Sequence, residues 1–300
     1  VLIIHTKRLR QIRNARHFWF SLNLVFMAQW LRSGGNVAHY LTRRYKHKEC
    51  IVEKFAILSD IHSNIFALEA VVKDARAKGF TAFINLGDIL YGPIAPRQTY
   101  EYLQSLNAIT ISGNQDRQIY EATEAEIESN PTMQFILSEL GQEPLTWMKQ
   151  LPFDLQITTD IYACHGTPSD DLVYLLEDIS TGRPIVRPDG EIIEKLNGIS
   201  SPIIICGHTH TPRCVELSTG QIVINPGSVG LQAYTDDEPN VHSMQNYSPK
   251  ASYATLQKAS EDKWDIVFHK VTYDVESAVN AAKKRGRNDW VHFLSTGRCL

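Results

Sequence analysis

The chain has 300 residues, of which 43% are hydrophobic and 21% charged, and its formal net charge is -3. That balance supplies the apolar material for a sizeable core and excludes an intrinsically disordered or collagen-like chain. It also lacks the overall basic footprint of a protein that wraps nucleic acid, although a local basic strip is compatible with it. Five cysteines, Cys50, Cys164, Cys206, Cys214 and Cys299, form an odd set without a CxxC pair. They read as reduced thiols of a cytoplasmic protein, not as a disulfide framework.

In chain order, residues 1–50 come first and differ from the rest, with ten Lys or Arg against the single acid Glu49. Their apolar stretch from Phe18 to Leu31 is shorter than the roughly 20 residues a spanning helix needs, and Ser21, Asn23 and Gln29 interrupt it. No small-x-small cleavage site follows Leu31. We expect no membrane span and a basic, poorly ordered N-terminal extension, with an added helix or a targeting segment as alternatives. The chain opens on Val and holds Met27 internally, which leaves the natural start open.

From Ile51 onward, short apolar runs alternate with helical patterns, as in an α/β domain spanning residues 51–300. Phe55 to Ser59 ends at Asp60, Ala82 to Leu86 at Gly87-Asp88, and Ala108 to Ser112 at Gly113-Asn114. Ile161 to Cys164 ends at His165-Gly166, Pro202 to Cys206 at Gly207-His208, and Gln221 to Ile224 at Asn225-Pro-Gly-Ser228. Between the first runs, Ile65 to Lys78 carries Leu68, Val71, Val72 and Ala75 at helical spacing, with Ser63 or Asn64 as cap and Gly79 as terminator. Arg97 to Asn107 supplies a second crossover helix. Glu121 to Gln150 reads as a helical hairpin and Thr235 to Lys250 as a surface loop. Strands at Ala251 to Leu256 and Trp264 to Val271 precede a final helix from Val275 to Arg285.

In parallel sheets ligands gather beyond the carboxyl ends of the strands, which is where the Asp, Asn and His residues fall. Asp60 and His62, two residues apart on extended backbone, leave the same side and can converge on one ion. Asp88 offers two oxygens suited to bridging, Asn114 a neutral carbonyl, and His208-Thr209-His210 two imidazoles with no packing purpose. His165 alone could be a buried structural histidine; the ensemble of seven residues points to metal. A mixed carboxylate and imidazole set without cysteine suits two divalent cations, with Mn first and Fe, Zn or Ni as alternatives. Such a pair, about 3.5–4 Å apart, acidifies a bridging water and clamps phosphoryl oxygens during an in-line displacement.

The order Asp60-x-His62, Gly87-Asp88, Gly113-Asn114-x-Asp116, His165-Gly166 and Gly207-His208-x-His210 resembles the calcineurin-like metallophosphoesterase superfamily. The resemblance runs from about Phe55 to the C-terminal helix. It implies a four-layer αββα sandwich of two mixed β-sheets flanked by helices. It also implies that Asp60, His62 and His210 hold one ion, Asn114, His165 and His208 the other, and that Asp88 bridges. Asp88, Asn114 and His208 are assigned to catalysis as well. Asp88 to Pro93, Gly113 to Arg117, His165 to Pro168 and Asn225 to Gly230 look like the small bacterial phosphoesterase branch. The protein Ser/Thr phosphatase patterns fit less well, since Tyr91-Gly92-Pro93 and Gln115-Asp116 stand in their places.

One departure bears on mechanism. Many relatives place a His after the motif Asn, where this chain has Gln115, which can hydrogen-bond a phosphoryl oxygen but cannot donate a proton as a general acid. Substrates with good leaving groups, such as activated diesters or phosphoanhydrides, are therefore expected to react best. Asn64 and Arg117 join Gln115 as candidate phosphate contacts. The expected partner is a small phosphoester or nucleotide, with diesters favoured over monoesters. A non-catalytic docking scaffold on the same fold and nucleic-acid processing aided by the basic first fifty residues are the alternatives.

Overall fold

A computed structural model describes residues 53–260 and 263–300. The expected extension over residues 1–50 lies outside the described residues. Strand β1 (Lys54–Leu58) leads into α1 (Ile65–Ala77), followed by β2 (Ala82–Asn85), α2 (Pro96–Leu106) and β3 (Ile109–Thr110). Helices α3 (Asn114–Glu121), α4 (Glu124–Ser129), α5 (Pro131–Leu140) and α6 (Gln142–Met148) precede β4 (Asp154–Gln156) and β5 (Ile161–Cys164). Next come β6 (Glu177–Asp178), β7 (Ile185–Val186), α7 (Asp189–Lys195), β8 (Ile203–Ile205), β9 (Arg213–Glu216) and β10 (Ile222–Asn225). A hairpin of β11 (Ala233–Asp236) and β12 (His242–Gln245), strands β13 (Ala251–Ser260) and β14 (Lys263–Val271), and helices α8 (Val275–Lys284) and α9 (Asn288–Thr296) complete the order.

The strands build two five-stranded mixed sheets, ordered β14-β13-β1-β2-β3 and β4-β5-β8-β10-β9. In the first, β1, β2 and β3 run parallel while β13 opposes β1. In the second, β5, β8 and β10 run parallel between antiparallel edges. The two-residue period of a strand divides the side chains between layers. Ile57, Ile84, Ala254 and Leu256 meet Ile161, Ala163, Ile203, Ile205 and Ile224 between the sheets. Ala56, Leu58 and Phe83 point the other way, into a helical layer that includes Leu68, Val72, Leu103, Ala278 and Phe293. On the far face, Tyr162, Ile204, Cys206 and Val223 pack with Ile192 and Leu196. The expected four layers are present, but the fourth is thin, with the seven-residue α7 as its helix.

Local chemistry sets the helix ends. Asn64 Oδ1 accepts the Ala67 N–H at 3.1 Å, and the chain leaves α1 through Gly79 at φ +81°. Pro96 opens α2, and Asn107, left-handed at φ +49°, closes it. Three expectations need correction. The helical hairpin over Glu121 to Gln150 is instead the end of α3 and three short helices, because Thr123 and Asn130 both cap new starts and Gly141 breaks the chain again. The loop over Thr235 to Lys250 contains most of the β11–β12 hairpin. A further helix, α9, follows the expected last one and buries Trp290, Phe293 and Leu294.

Candidate metal centre

The parallel strands of both sheets deliver their following loops to one place. Backbone bonds knit the exits of β1 and β2: Asp60 N–H to Gly87 O, His62 N–H to Asp88 O and Ser63 N–H to Ile89 O, at 3.1, 3.0 and 2.8 Å. Gly207 N–H donates to His165 O at 2.8 Å and joins the exits of β8 and β5 in the same way. Among the described residues nine non-glycine residues have positive φ, and five of them are Asp60, His62, Asp88, His208 and His210. Left-handed backbone is costly for side chains of this kind and is held only where surrounding bonds over-determine it. Such backbone is therefore concentrated on the expected ligands.

Two groups of ligand atoms result. Asp60, His62 and His210 form one, Asp88, His165 and His208 the other, with the atoms of each group within 4.8 Å of one another. Asn114 Oδ1 lies 3.1 Å from His165 Nε2. All seven expected ligands are thus brought to one region, each group drawing on both sheets. Three imidazoles are oriented alike: Nδ1 of His62, His165 and His210 meets the carbonyl of Tyr91, Leu86 and Leu231 at 3.1, 2.7 and 2.6 Å. An Nδ1–H donated to a carbonyl leaves Nε2 pointing inward, the nitrogen and the orientation a metal ligand requires. His208 is turned the other way, with Nε2 at 3.2 Å from Leu172 O.

The residues fit a cation by a second criterion. Both carboxylate oxygens of Asp60 are buried without a hydrogen bond, with His210 Nε2 standing 3.3 Å from Oδ1, and His62 Nε2 faces His210 Nε2 at 3.0 Å. Buried polar groups in folded proteins are nearly always partnered, so this arrangement asks for positive charge between the side chains. Electrostatics agree. Burial alone would raise Asp60 and Asp88, yet the imidazoles of His210 and His165 hold their carboxyl pKa values below the ordinary range. Burial pushes His62 and His208 down to about 4, helped by His210 and His165 respectively. His165 rises to about 10 against its burial, chiefly through the Asp88 charge.

The three candidate phosphate contacts part company. Gln115 lines the cavity at the centre, and its buried Oε1 has no partner. Asn64 is used up in the fold, since it caps α1 and donates to Gly230 O at 2.9 Å. Arg117 forms a two-pronged pair with Asp171 at 2.7 and 3.0 Å and does not line the central cavity. Other motif residues, to which the sequence assigned no role, support the centre. Asp116 accepts the N–H groups of Asp88, Ile89 and Gly113 at 2.9, 2.9 and 3.0 Å, so it ties together the loops that carry Asp88 and Asn114. Ser228 Oγ donates to Asp60 O at 2.8 Å, and Asn225 Nδ2 donates to Gly207 O at 2.6 Å. The sixth strand exit therefore binds the backbone of the ligand loops. Trp290 of α9 meets the His62 ring edge-on, with centroids 5.9 Å apart.

Comparison with known proteins agrees with this architecture. Residues 54–246 match the calcineurin-like phosphoesterase superfamily domain. An uncharacterized protein of Methanocaldococcus jannaschii is 24% identical over 247 residues, covering 79% of this chain and 94% of its own. The crystal structure of a metallophosphoesterase from Sphaerobacter thermophilus superposes with a TM-score of 0.63 at 24% identity, covering 82% of this chain and all of its own.

Proposed function

Because the chain belongs to the calcineurin-like phosphoesterase superfamily, whose members are metal-dependent hydrolases of phosphoester bonds, we propose that it hydrolyses phosphodiesters or nucleotide-type esters at a dinuclear centre. The observation that carries this reading is the pair of convergent ligand groups, Asp60/His62/His210 and Asp88/His165/His208, with the orphaned Asp60 carboxylate between the sheets. Asp60, His62 and His210 are the proposed ligands of one cation, and Asn114, His165 and His208 of the other. Asp88 would be shared between the two cations, and its carboxylate is oriented by the Gln115 N–H, which donates to Oδ1 at 2.9 Å. When bound, two divalent cations, Mn first among the borderline metals, supply charge stabilisation at the phosphoryl oxygens and an acidified water.

The chain's own groups do the rest. Asp88, Asn114 and His208 line the central cavity, which supports placing them beside the reacting phosphate. The Gln115 amide can donate to a phosphoryl oxygen but has no proton to give a departing alkoxide. Esters whose alcohol departs readily are thus the preferred class. All seven ligand positions keep coordinating side chains, which a docking scaffold has no physical need of. Among the described residues no helix is long and apolar enough to cross a membrane. The test is an assay of Mn-loaded protein on monoesters, diesters and dinucleoside polyphosphates, with Asp88→Asn as control. Diester turnover that falls at least a hundred-fold in the variant is expected; undiminished turnover would sink the mechanism.

A further inference from the structure

Two cavities of unequal size meet at the metal centre. The smaller, about 230 Å³, lies under α9 among His62, Asp88, Tyr91, Trp290 and Phe293. The larger, about 530 Å³, runs beside the 172–179 segment and the tip of the β11–β12 hairpin, where Leu172, Val173, Tyr174, Ile179 and Pro239 form an apolar wall. Asn114, Gln115, His208 and Asp236 line both. A phosphoryl group held at these residues therefore opens onto two spaces. A monoester has one organic arm to place and a diester has two.

Size and charge narrow the occupant of the larger space. Small-molecule sites run from about 300 to 1,000 Å³, so the larger cavity has room for a ring-sized organic arm and the smaller one for a compact group. The charged side chains lining the larger cavity, beyond the candidate ligand His208, are Asp236 and Glu238 against Arg187. The Arg187 guanidinium is itself shared with Glu191 at 3.4 Å. An arm bearing further phosphates meets net repulsion there, whereas an uncharged arm loses nothing and gains apolar contact with the wall.

Resting on the phosphoesterase reading above, we infer that the substrate is a phosphodiester whose larger arm is an uncharged, ring-bearing alcohol, a nucleoside or an aryl alcohol, seated against Leu172, Val173, Tyr174 and Ile179. Hydrolysis breaks one P–O ester bond, forms one P–O bond from water, and releases the alcohol with a proton from that water. Phosphoanhydrides, whose second arm is itself charged, fall outside this class.

The test uses the full chain loaded with Mn. Bis(p-nitrophenyl) phosphate is expected to show a kcat/KM at least ten-fold above that of diadenosine tetraphosphate. The Leu172 side chain is 51% exposed, so Leu172→Asp can place a carboxylate on the wall with little cost to folding. It is expected to raise KM for the aryl diester five-fold or more with kcat within two-fold. Binding gives a readout that does not depend on turnover: adenosine and phenol, both uncharged at neutral pH, are titrated separately, the tighter of the two identifies the source of the ring, and Leu172→Asp weakens it. Failure to turn over any ester would overturn both readings. Turnover that favours diadenosine tetraphosphate, or that is indifferent to Leu172→Asp while neither ring compound binds, would overturn the diester proposal and leave the phosphoesterase reading standing.

Discussion

At the scale of single residues, His165 is the most informative group. Its imidazole stands 3.5 Å from Asp88 Oδ2 and 3.1 Å from Asn114 Oδ1, and the Asp88 charge lifts its pKa to about 10 in spite of burial. At neutral pH the metal-free protein therefore holds a proton on this histidine. A metal ligand must offer its lone pair, so a cation bound through His165 expels that proton. The sign follows: raising the pH removes the competitor, and affinity rises. Between pH 6.5 and 8.5 the apparent Mn affinity is expected to climb about ten-fold per pH unit, with about one proton released on binding. Calorimetry in buffers of different ionisation enthalpy reads the proton count directly. His165→Gln should lose both the release and the slope, and an affinity independent of pH in the unmodified protein would contradict the role given to His165.

At the scale of elements, the strand exits explain what the sequence made legible. Asp60, Asp88, His165 and His208 each follow a buried apolar strand, and Asn114 follows the short, partly exposed β3, so these candidate ligands share strand exits that the sequence alone marks out. The motif at Asn225 to Gly230 was equally visible but carried no ligand, and its purpose emerges only in three dimensions. Val229 N–H donates to Ser59 O and Gly230 N–H to Asp60 O, both at 3.0 Å, while Ser228 Oγ donates to Asp60 O and accepts the Leu231 N–H, each at 2.8 Å. Gly230 is required there, because a Cβ would run into the Ile61 carbonyl. Ser228→Ala leaves the Leu231 N–H without its acceptor in a fully buried site, a loss of about 1–3 kcal/mol. It also slackens the loop that carries Asp60 and His62, for which a 10- to 100-fold loss of metal affinity is the usual scale. Chemical denaturation and metal titration of this variant measure the two effects separately, and a normal affinity would show that the clamp is dispensable. What stayed hidden had physical reasons too. The pairing of Arg117 with Asp171 spans 54 residues, and nothing local to Arg117 announces it. The β11–β12 hairpin was masked by the polar run Asp236-Asp237-Glu238-Pro239-Asn240 at its tip.

At the scale of the whole molecule, the centre is a seam. Each candidate ligand group joins the two sheets: Asp60 and His62 follow β1 while His210 follows β8, and Asp88 follows β2 while His165 and His208 follow β5 and β8. Between the sheets lies an apolar layer that needs no metal, so the described fold is expected to persist without it. The cost of the metal-free protein is concentrated instead at the mouth of the seam, where the Asp60 oxygens make no hydrogen bond and His62 confronts His210. A cation bound there removes that cost and crosslinks the sheets at the same time. Binding to the folded state alone stabilises by about 2.7 kcal/mol when the free metal stands at a hundred times its dissociation constant. For a domain of this size that corresponds to a rise in Tm of about 5–10 °C. Chelator-treated protein should lose the increment and regain it on adding Mn. Asp60→Asn should shrink the increment, because the amide keeps the shape but removes the charge that attracts the ion. A Tm unmoved by saturating Mn would mean that the cation does not bridge the sheets, and the seam would then have to be held by the apolar layer and the Asp116 and Ser228 clamps alone.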